Sequence, residues 1–204
     1  MLSPVKRVHF GKYIFDVWEN VYEPAEDSFL FAENLIVEKG THVLDVGTGC
    51  GILGVLAAEK AAAVLAVDLN PYAIRCAKEN SALNNVGNKM AFIQADLLTA
   101  FGENAQFDLI LFNAPYLPAA EREAETWIGR SWAGGVNGRQ VIDRFISQVQ
   151  LHLKTSGRVF LMQSTLVNVE ETICKFGEHK LKARVKAQRK LPFFETLVLV
   201  EAET

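Results

Sequence analysis

The sequence predicts an α/β fold: a mostly parallel seven-stranded sheet with helices on both faces and an antiparallel hairpin at its C-terminal end. Three observations predict it. From residue 42 to residue 177, short apolar runs alternate with amphipathic stretches of helical period. That alternation is the pattern of a parallel sheet covered on both faces. The last two runs, residues 181–188 and 193–201, meet at Leu191-Pro192. They are too close for a helical crossover and therefore pair antiparallel. A glycine turn from Gly47 to Gly51 separates the first buried run from the helix behind it.

Each element has its own signal. Residues 8–17 alternate around Gly11-Lys12 and read as a hairpin, part of an N-terminal extension at about residues 5–20. Tyr22-Glu23-Pro24 leads into a helix over residues 26–38, with Phe29, Leu30, Leu35 and Ile36 on its apolar face and Gly40 as its stop. Strands follow at 42–46, 63–68, 90–94, 107–112 and 157–163, and helices at 51–60, 71–84, 138–153 and 167–177. Asn70-Pro71 supplies a capping side chain and then a proline at the first helical position. Val141, Ile142, Phe145, Ile146 and Val149 fall on one helical face. The 204 residues fit one domain, 1–204, with no internal repeat or linker.

Half the residues are hydrophobic and 22% are charged, as in ordinary soluble proteins. A net charge of −3 argues against gross attraction to nucleic acid. One local exception is the basic stretch over residues 180–190. There Lys180, Lys182, Arg184 and Lys186 alternate with apolar residues, and Arg189 and Lys190 extend the patch. It reads equally as a solvated edge strand protected by charge or as a docking surface for RNA or a ribosomal protein. Cys50, Cys76 and Cys174 form no CxxC pair and the four histidines are scattered, so neither a zinc site nor a disulfide framework is expected. The N-terminus lacks the apolar core of a signal peptide, and no apolar run reaches the roughly 20 residues that cross a bilayer. The expectation is a soluble cytoplasmic protein.

The chemistry concentrates at strand ends. Asn113-Ala114-Pro115-Tyr116 follows the apolar run 107–112. An amide oxygen from Asn113 and a backbone carbonyl can accept from a flat NH2 group, with Tyr116 against its face. At the glycine turn, Asp45-Val46-Gly47-Thr48-Gly49-Cys50-Gly51, the backbone can come close to a ligand, and the helix start behind it favours an anion. Asp45 suits an ammonium group. Asp68 suits vicinal ribose hydroxyls, and Asp96 the amino group of adenine. Together these predict methyl transfer from S-adenosylmethionine (SAM). Gly49-Cys50-Gly51-Ile52-Leu53-Gly54 also spells GxGxxG, so NAD binding is a rival reading. Against it, an acid before the first glycine fits an ammonium better than a pyrophosphate, and hydride transfer has no use for the Asn113 motif.

Three segments carry a family resemblance. The run from Val21 through Tyr22, Glu23, Pro24, Ala25, Glu26 and Asp27 to Ser28, the Asn113 to Tyr116 motif, and Trp132-Ala133-Gly134-Gly135 continuing through Asn137-Gly138-Arg139 to Asp143-Arg144-Phe145 resemble the HemK-related glutamine methyltransferases of class-1 release factors. The eukaryotic and archaeal branch is the better match, over about residues 21–200. The resemblance implies a Rossmann-like class I methyltransferase fold. It implies SAM contacts at Ser28, Asp45, Gly47, Gly49, Gly51, Asp68, Asp96, Leu97 and Asn113. It implies catalysis at Asn113, Ala114, Pro115 and Tyr116, with Leu117 and Trp132 joining Asn113 and Tyr116 on the substrate side. Ala114 stands where the family has proline, which keeps the carbonyl acceptor and loses proline's fixed φ. The implied substrate is the Gly-Gly-Gln tip of a peptide-chain release factor. A small zinc-containing activator subunit is implied at the apolar sheet edge Met90–Gln94. The alternatives are an exocyclic amino methyltransferase acting on adenine or guanine of RNA or DNA, a lysine methyltransferase, and a non-catalytic SAM-binding subunit.

Overall fold

The computed structural model describes residues 6–102, 104–192 and 194–204. Strands β1 (Lys6–Phe10) and β2 (Tyr13–Val17) form the expected hairpin. Met1 to Val5, where the N-terminal expectations begin, lie outside the described residues. The hairpin is fastened to the main body by two amides. Asp16 N donates to Asn80 Oδ1 at 2.8 Å and Ile14 N to Asn84 Oδ1 at 3.0 Å. Asn80 Nδ2 donates back to Asp16 O and also to Cys50 O in the glycine turn.

The main sheet has seven strands: β3 (His42–Val46), β4 (Ala63–Asp68), β5 (Met90–Gln94), β6 (Phe107–Asn113), β7 (Leu153–Ser164), β8 (Lys182–Lys190) and β9 (Thr196–Glu203), in the order β5-β4-β3-β6-β7-β9-β8. The first five pair parallel, and β9 pairs antiparallel with both β7 and β8. The expected architecture therefore stands. Phe193, the expected start of the last strand, lies outside the described residues. Central strands read as continuous apolar runs because both faces are covered; Leu109, Ile110, Leu111 and Phe112 are all buried. The helices are α1 (Glu26–Asn34), α2 (Ile52–Ala58), α3 (Pro71–Leu83), α4 (Trp127–Arg130), α5 (Gln140–Val149) and α6 (Val169–Glu178). Asn70 caps α3 as expected, its side chain accepting from Tyr72 N. The apolar face of α5 packs into the core through Ile142, Phe145, Ile146 and Val149.

Three differences from the sequence reading stand out, beside shifts of one to four residues at other element ends. α1 stops at Asn34 instead of 38, because Leu35 turns extended and Val37 is drawn into the core. β7 begins at Leu153 instead of 157. Phe107 pairs with Leu153 and Leu109 with Arg158, so residues 154–157 bulge out between two register points. α4 and the 3₁₀ turn Glu121–Glu125 occupy a stretch read as loop.

Three of the six cations in the basic stretch, Arg184, Lys186 and Arg189, are paired. Arg184 and Lys186 reach the buried Glu201 at 2.8 and 3.5 Å, and Arg189 bridges Glu26 and Glu33 on α1. Burial pushes the Glu201 carboxyl up, but Arg184 and Lys186 outweigh it and hold the group below its usual range. Among the described residues no helix is long and apolar enough to cross a membrane.

Candidate active site

A cavity of about 1010 Å³ opens at the C-terminal ends of β3, β4, β5 and β6. The strand order reverses between β3 and β6, and ligand crevices in open α/β sheets form at such a point. Ser28, Gly47, Gly49, Asp68, Asp96, Leu97, Asn113, Ala114 and Pro115 all line it. Loops that are far apart in sequence thus converge as the motifs required.

The glycine turn is set by Asp45 from behind. Asp45 does not line the cavity. Its Oδ2 accepts from Thr48 Oγ1 at 2.6 Å and from Gly54 N at 3.0 Å, which ties the turn to the first residues of α2. Burial pushes its carboxyl up to about 7, against the pull of those two donors. Gly51 also stands outside the lining. It holds φ +89 at the start of α2, and a Cβ there would lie 3.0 Å from Ala77 Cβ. Its part is to let the chain turn into α2 against α3. Gly54 allows a close approach of another kind: a Cβ at this position would meet both Asp45 Oδ2 and Met90 Cε at 2.8 Å.

Asp68 faces the cavity from the end of β4. Its Oδ2 accepts from Gly49 N at 2.9 Å and its Oδ1 from Asn70 N at 2.8 Å. Burial raises its carboxyl, and the backbone donors oppose that rise. Asp96 sits further along the rim with Oδ2 held by Arg144 at 2.6 Å. Arg144 belongs to the segment after the glycine pair, so the two sides of the cavity meet at this ion pair.

Asn113 ends β6 with its amide oriented. Nδ2 donates to Asp27 Oδ2 and to Ser28 Oγ, both at 3.2 Å. Its Oδ1 is buried and has no hydrogen-bond partner among the described residues. A buried acceptor left unmet costs about 1–3 kcal/mol, so such an atom marks a place for a donor. Asp27 is the residue that sequence reasoning missed. It was visible only as one letter of a motif, and its contact with Asn113 spans 86 residues of chain.

The expected substrate side is divided from the cofactor side. Tyr116, Leu117 and Trp132 line a second cavity of about 310 Å³, shared with Tyr22, Asp27, Ala114 and Ser131. Ala114 lines both spaces. Tyr116 is buried, and its hydroxyl lies 3.5 Å from Asp27 Oδ2. The segment after the motif folds back on it: Leu117 N donates to Trp132 O, Gly134 N to Leu117 O and Ala119 N to Gly135 O. Arg139 anchors that segment. It is buried, donates to Val167 O, Asn168 O and Thr172 Oγ1, and pairs with Asp143 at 2.9 Å.

The comparisons agree with this geometry. The model of the ribosomal protein L11 methyltransferase (PrmA) family matches residues 27–115. A Methanocaldococcus jannaschii protein, provisionally named a protein N5-glutamine methyltransferase, is 41% identical over 88% of this chain and 90% of its own. Methyltransferase HEMK2 of Homo sapiens is 33% identical over 81% of this chain and 80% of its own. Among solved structures, Mtq2 in the E. cuniculi Mtq2–Trm112 complex, responsible for methylating the eRF1 translation termination factor, superimposes with a TM-score of 0.71 at 25% identity, over 91% of this chain and 99% of that one. From the convergent strand ends, the oriented Asn113 amide and these likenesses, the chain belongs to the HemK-related family of protein glutamine N5-methyltransferases.

Proposed function

We propose that this chain methylates the side-chain N5 of a glutamine in a peptide-chain release factor, using SAM. The observation that carries the reading is Asn113 Oδ1, buried and without a partner among the described residues, in a residue that lines the cavity. It is an acceptor already desolvated. An amide NH2 offers a donor of matching shape, and the neighbouring Ala114 carbonyl can take the second N–H. Pro115 stiffens the chain just beyond.

The residues fit SAM. Asp68 lies at the cavity with two acceptor oxygens for vicinal hydroxyls. Asp96 would face the adenine amino group, Leu97 the ring, and Ser28, Gly47 and Gly49 the methionine end. The family resemblance implies a direct contact for Asp45 there. Its place behind the turn supports a different part, fixing Thr48 and Gly54 so that the turn keeps its shape. When bound, SAM supplies an electrophilic methyl group.

An amide nitrogen is a poor nucleophile because its lone pair is delocalised, and the carboxylate beside Asn113, Asp27, is a weak base already taken up by donors. Catalysis then rests on positioning, worth as much as roughly 7–11 kcal/mol in favourable cases. As positive charge grows on the nitrogen, Asn113 Oδ1 and the Ala114 carbonyl hold its N–H groups more tightly than in the ground state. The proton then leaves to solvent. Tyr116, Leu117 and Trp132 would receive the peptide around the glutamine in the smaller cavity.

The edge strand β5 pairs only with β4 in the sheet, and its Phe92 and Ile93 are half-buried. This supports docking of a small zinc-containing activator subunit at Met90–Gln94; a stable and fully active isolated chain would count against it. RNA contact at residues 180–190 has less support, since Arg184, Lys186 and Arg189 are committed to carboxylates. A release-factor substrate places the reaction in the cytoplasm.

The test is Asn113→Ala with labelled SAM, release factor, ribosomal RNA and tRNA side by side, and mass spectrometry of the modified atom. Turnover on the release factor should vanish while SAM affinity falls far less. Near-normal turnover, or label on the nucleic acids alone, would refute the assignment.

A further inference from the structure

We infer that Asp27 is the positioning residue that decides which end of the Asn113 amide meets the substrate. The inference rests on the glutamine reading above and goes beyond it, because it concerns how the acceptor is kept an acceptor. An asparagine amide is nearly symmetric in shape, and its two ends differ only in the sign of the hydrogen bond they make. Turned over, Asn113 would present an NH2 group to the NH2 group of its target. Two donors would then face each other, and the site would bind worst the atom it must hold.

The structure contains a device against that inversion. Asp27 is buried at the start of α1. Its Oδ1 takes Ser28 N at 2.5 Å and Ser28 Oγ at 3.1 Å. Its Oδ2 takes Asn113 Nδ2 at 3.2 Å and lies 3.5 Å from the Tyr116 hydroxyl, while the Tyr22 hydroxyl lies 3.3 and 3.2 Å from the two oxygens. Every polar group around this carboxylate donates to it. A carboxylate has no proton to return, so it can only pull Nδ2 towards itself. Ser28 Oγ, having spent its proton on Asp27, accepts from the same Nδ2. Both acceptors sit on one side, so Oδ1 is left on the other, buried and without a partner among the described residues, in a residue that lines the cavity. Burial raises the hydroxyl pKa of both Tyr22 and Tyr116, which keeps them protonated donors.

Asp27→Asn puts this to the test with almost no change of volume. The backbone N–H of Ser28 cannot turn away, so the introduced amide must keep its oxygen towards Ser28. Its NH2 then points at Asn113, whose amide inverts to accept from it. Turnover should fall about 100-fold, as when one preorganised partner of a reacting group is lost, with SAM affinity falling far less. The double variant Asp27→Asn/Asn113→Asp exchanges the two chemistries. The introduced carboxylate can accept from the introduced amide and still offer an oxygen to the target, so at least about tenfold of the loss should return, a coupling that independent sites would not show. Near-normal turnover in Asp27→Asn, or a double variant no more active than Asp27→Asn, would overturn the inference.

A second measurement needs neither catalysis nor a variant. In the unsubstituted protein, the Asn113 side-chain NH2 protons should give nuclear Overhauser contacts to the Ser28 β-protons. Their absence overturns the inference whatever the substrate proves to be. Failure of the unsubstituted protein to methylate a Gly-Gly-Gln protein would instead strike the proposed function and leave this measurement standing.

Discussion

Replacing Asp45 with asparagine should stabilise the fold at neutral pH and leave it unchanged in acid. Asp45 is fully enclosed, and burial lifts its carboxyl from an ordinary 3.8 to about 7. The folded state therefore holds a proton that the unfolded chain has already released. For a group raised in this way, stability is complete below the unfolded value and is lost as pH climbs to the folded one. The window here runs from about 4 to about 7. Its two ends differ by roughly three pH units, and at roughly 1.36 kcal/mol each the loss approaches about 4 kcal/mol. That is a large part of the ~5–15 kcal/mol that holds a typical domain together. Asp68 is raised in the same direction and adds its own loss; its charge also helps raise Asp45, so the difference between the two proteins reports Asp45 together with that coupling. The assay is urea unfolding of both proteins between pH 4 and pH 8. The curves should coincide at the acid end and separate as pH rises, with Asp45→Asn the more stable. Curves that run parallel would show that the carboxyl ionises as readily folded as unfolded, and the burial argument would fail.

Two more pairs of perturbations separate geometry from charge. Gly51→Ala meets both a left-handed backbone and Ala77 at 3.0 Å, so it should cost about 2–5 kcal/mol; Gly11→Ala, also left-handed but in open space, should cost clearly less, and equal melting shifts would refute the packing contribution. Arg139→Ala strips the donor from Val167 O, Asn168 O and Thr172, while Lys175 still holds Asp143, and the unmet buried acceptors make a loss of about 3–5 kcal/mol in chemical denaturation. Arg7→Ala breaks only the exposed pair with Asp16 and should leave the midpoint where it was.

What could be read from the sequence was local or periodic. Asn70-Pro71 announced α3 because a cap acts on the residues beside it, and Tyr72 N indeed meets the Asn70 side chain. The α5 face was legible because burial repeats every turn. The antiparallel end of the sheet followed from a connection too short for anything else. The misreadings lie where distant contacts decide. Residues 35–38 looked helical, but the pull of the core on Val37 outweighs a weak propensity at Ile36 and Val37. Residues 154–156 fall between a helix and a strand in the sequence reading, and with Gly157 they form a bulge within one strand, with Ser156 at φ +65. At the site, residues that touch the cavity through their own loops were found from their motifs. Asp45 was assigned a ligand contact because its type suits one; its actual partners, Thr48 and Gly54, lie three and nine residues away. Asp27 escaped because its meaning depends on Asn113, and no local pattern links them.

The missing side chain at Gly54 has a mechanical consequence. Through this one gap, α2 touches the carboxylate that braces the glycine turn and, on its other side, the methionine that begins the outermost strand β5. The two groups close on the one point that a Cβ at this position would occupy. A side chain at position 54 would jam that linkage and displace both ends together.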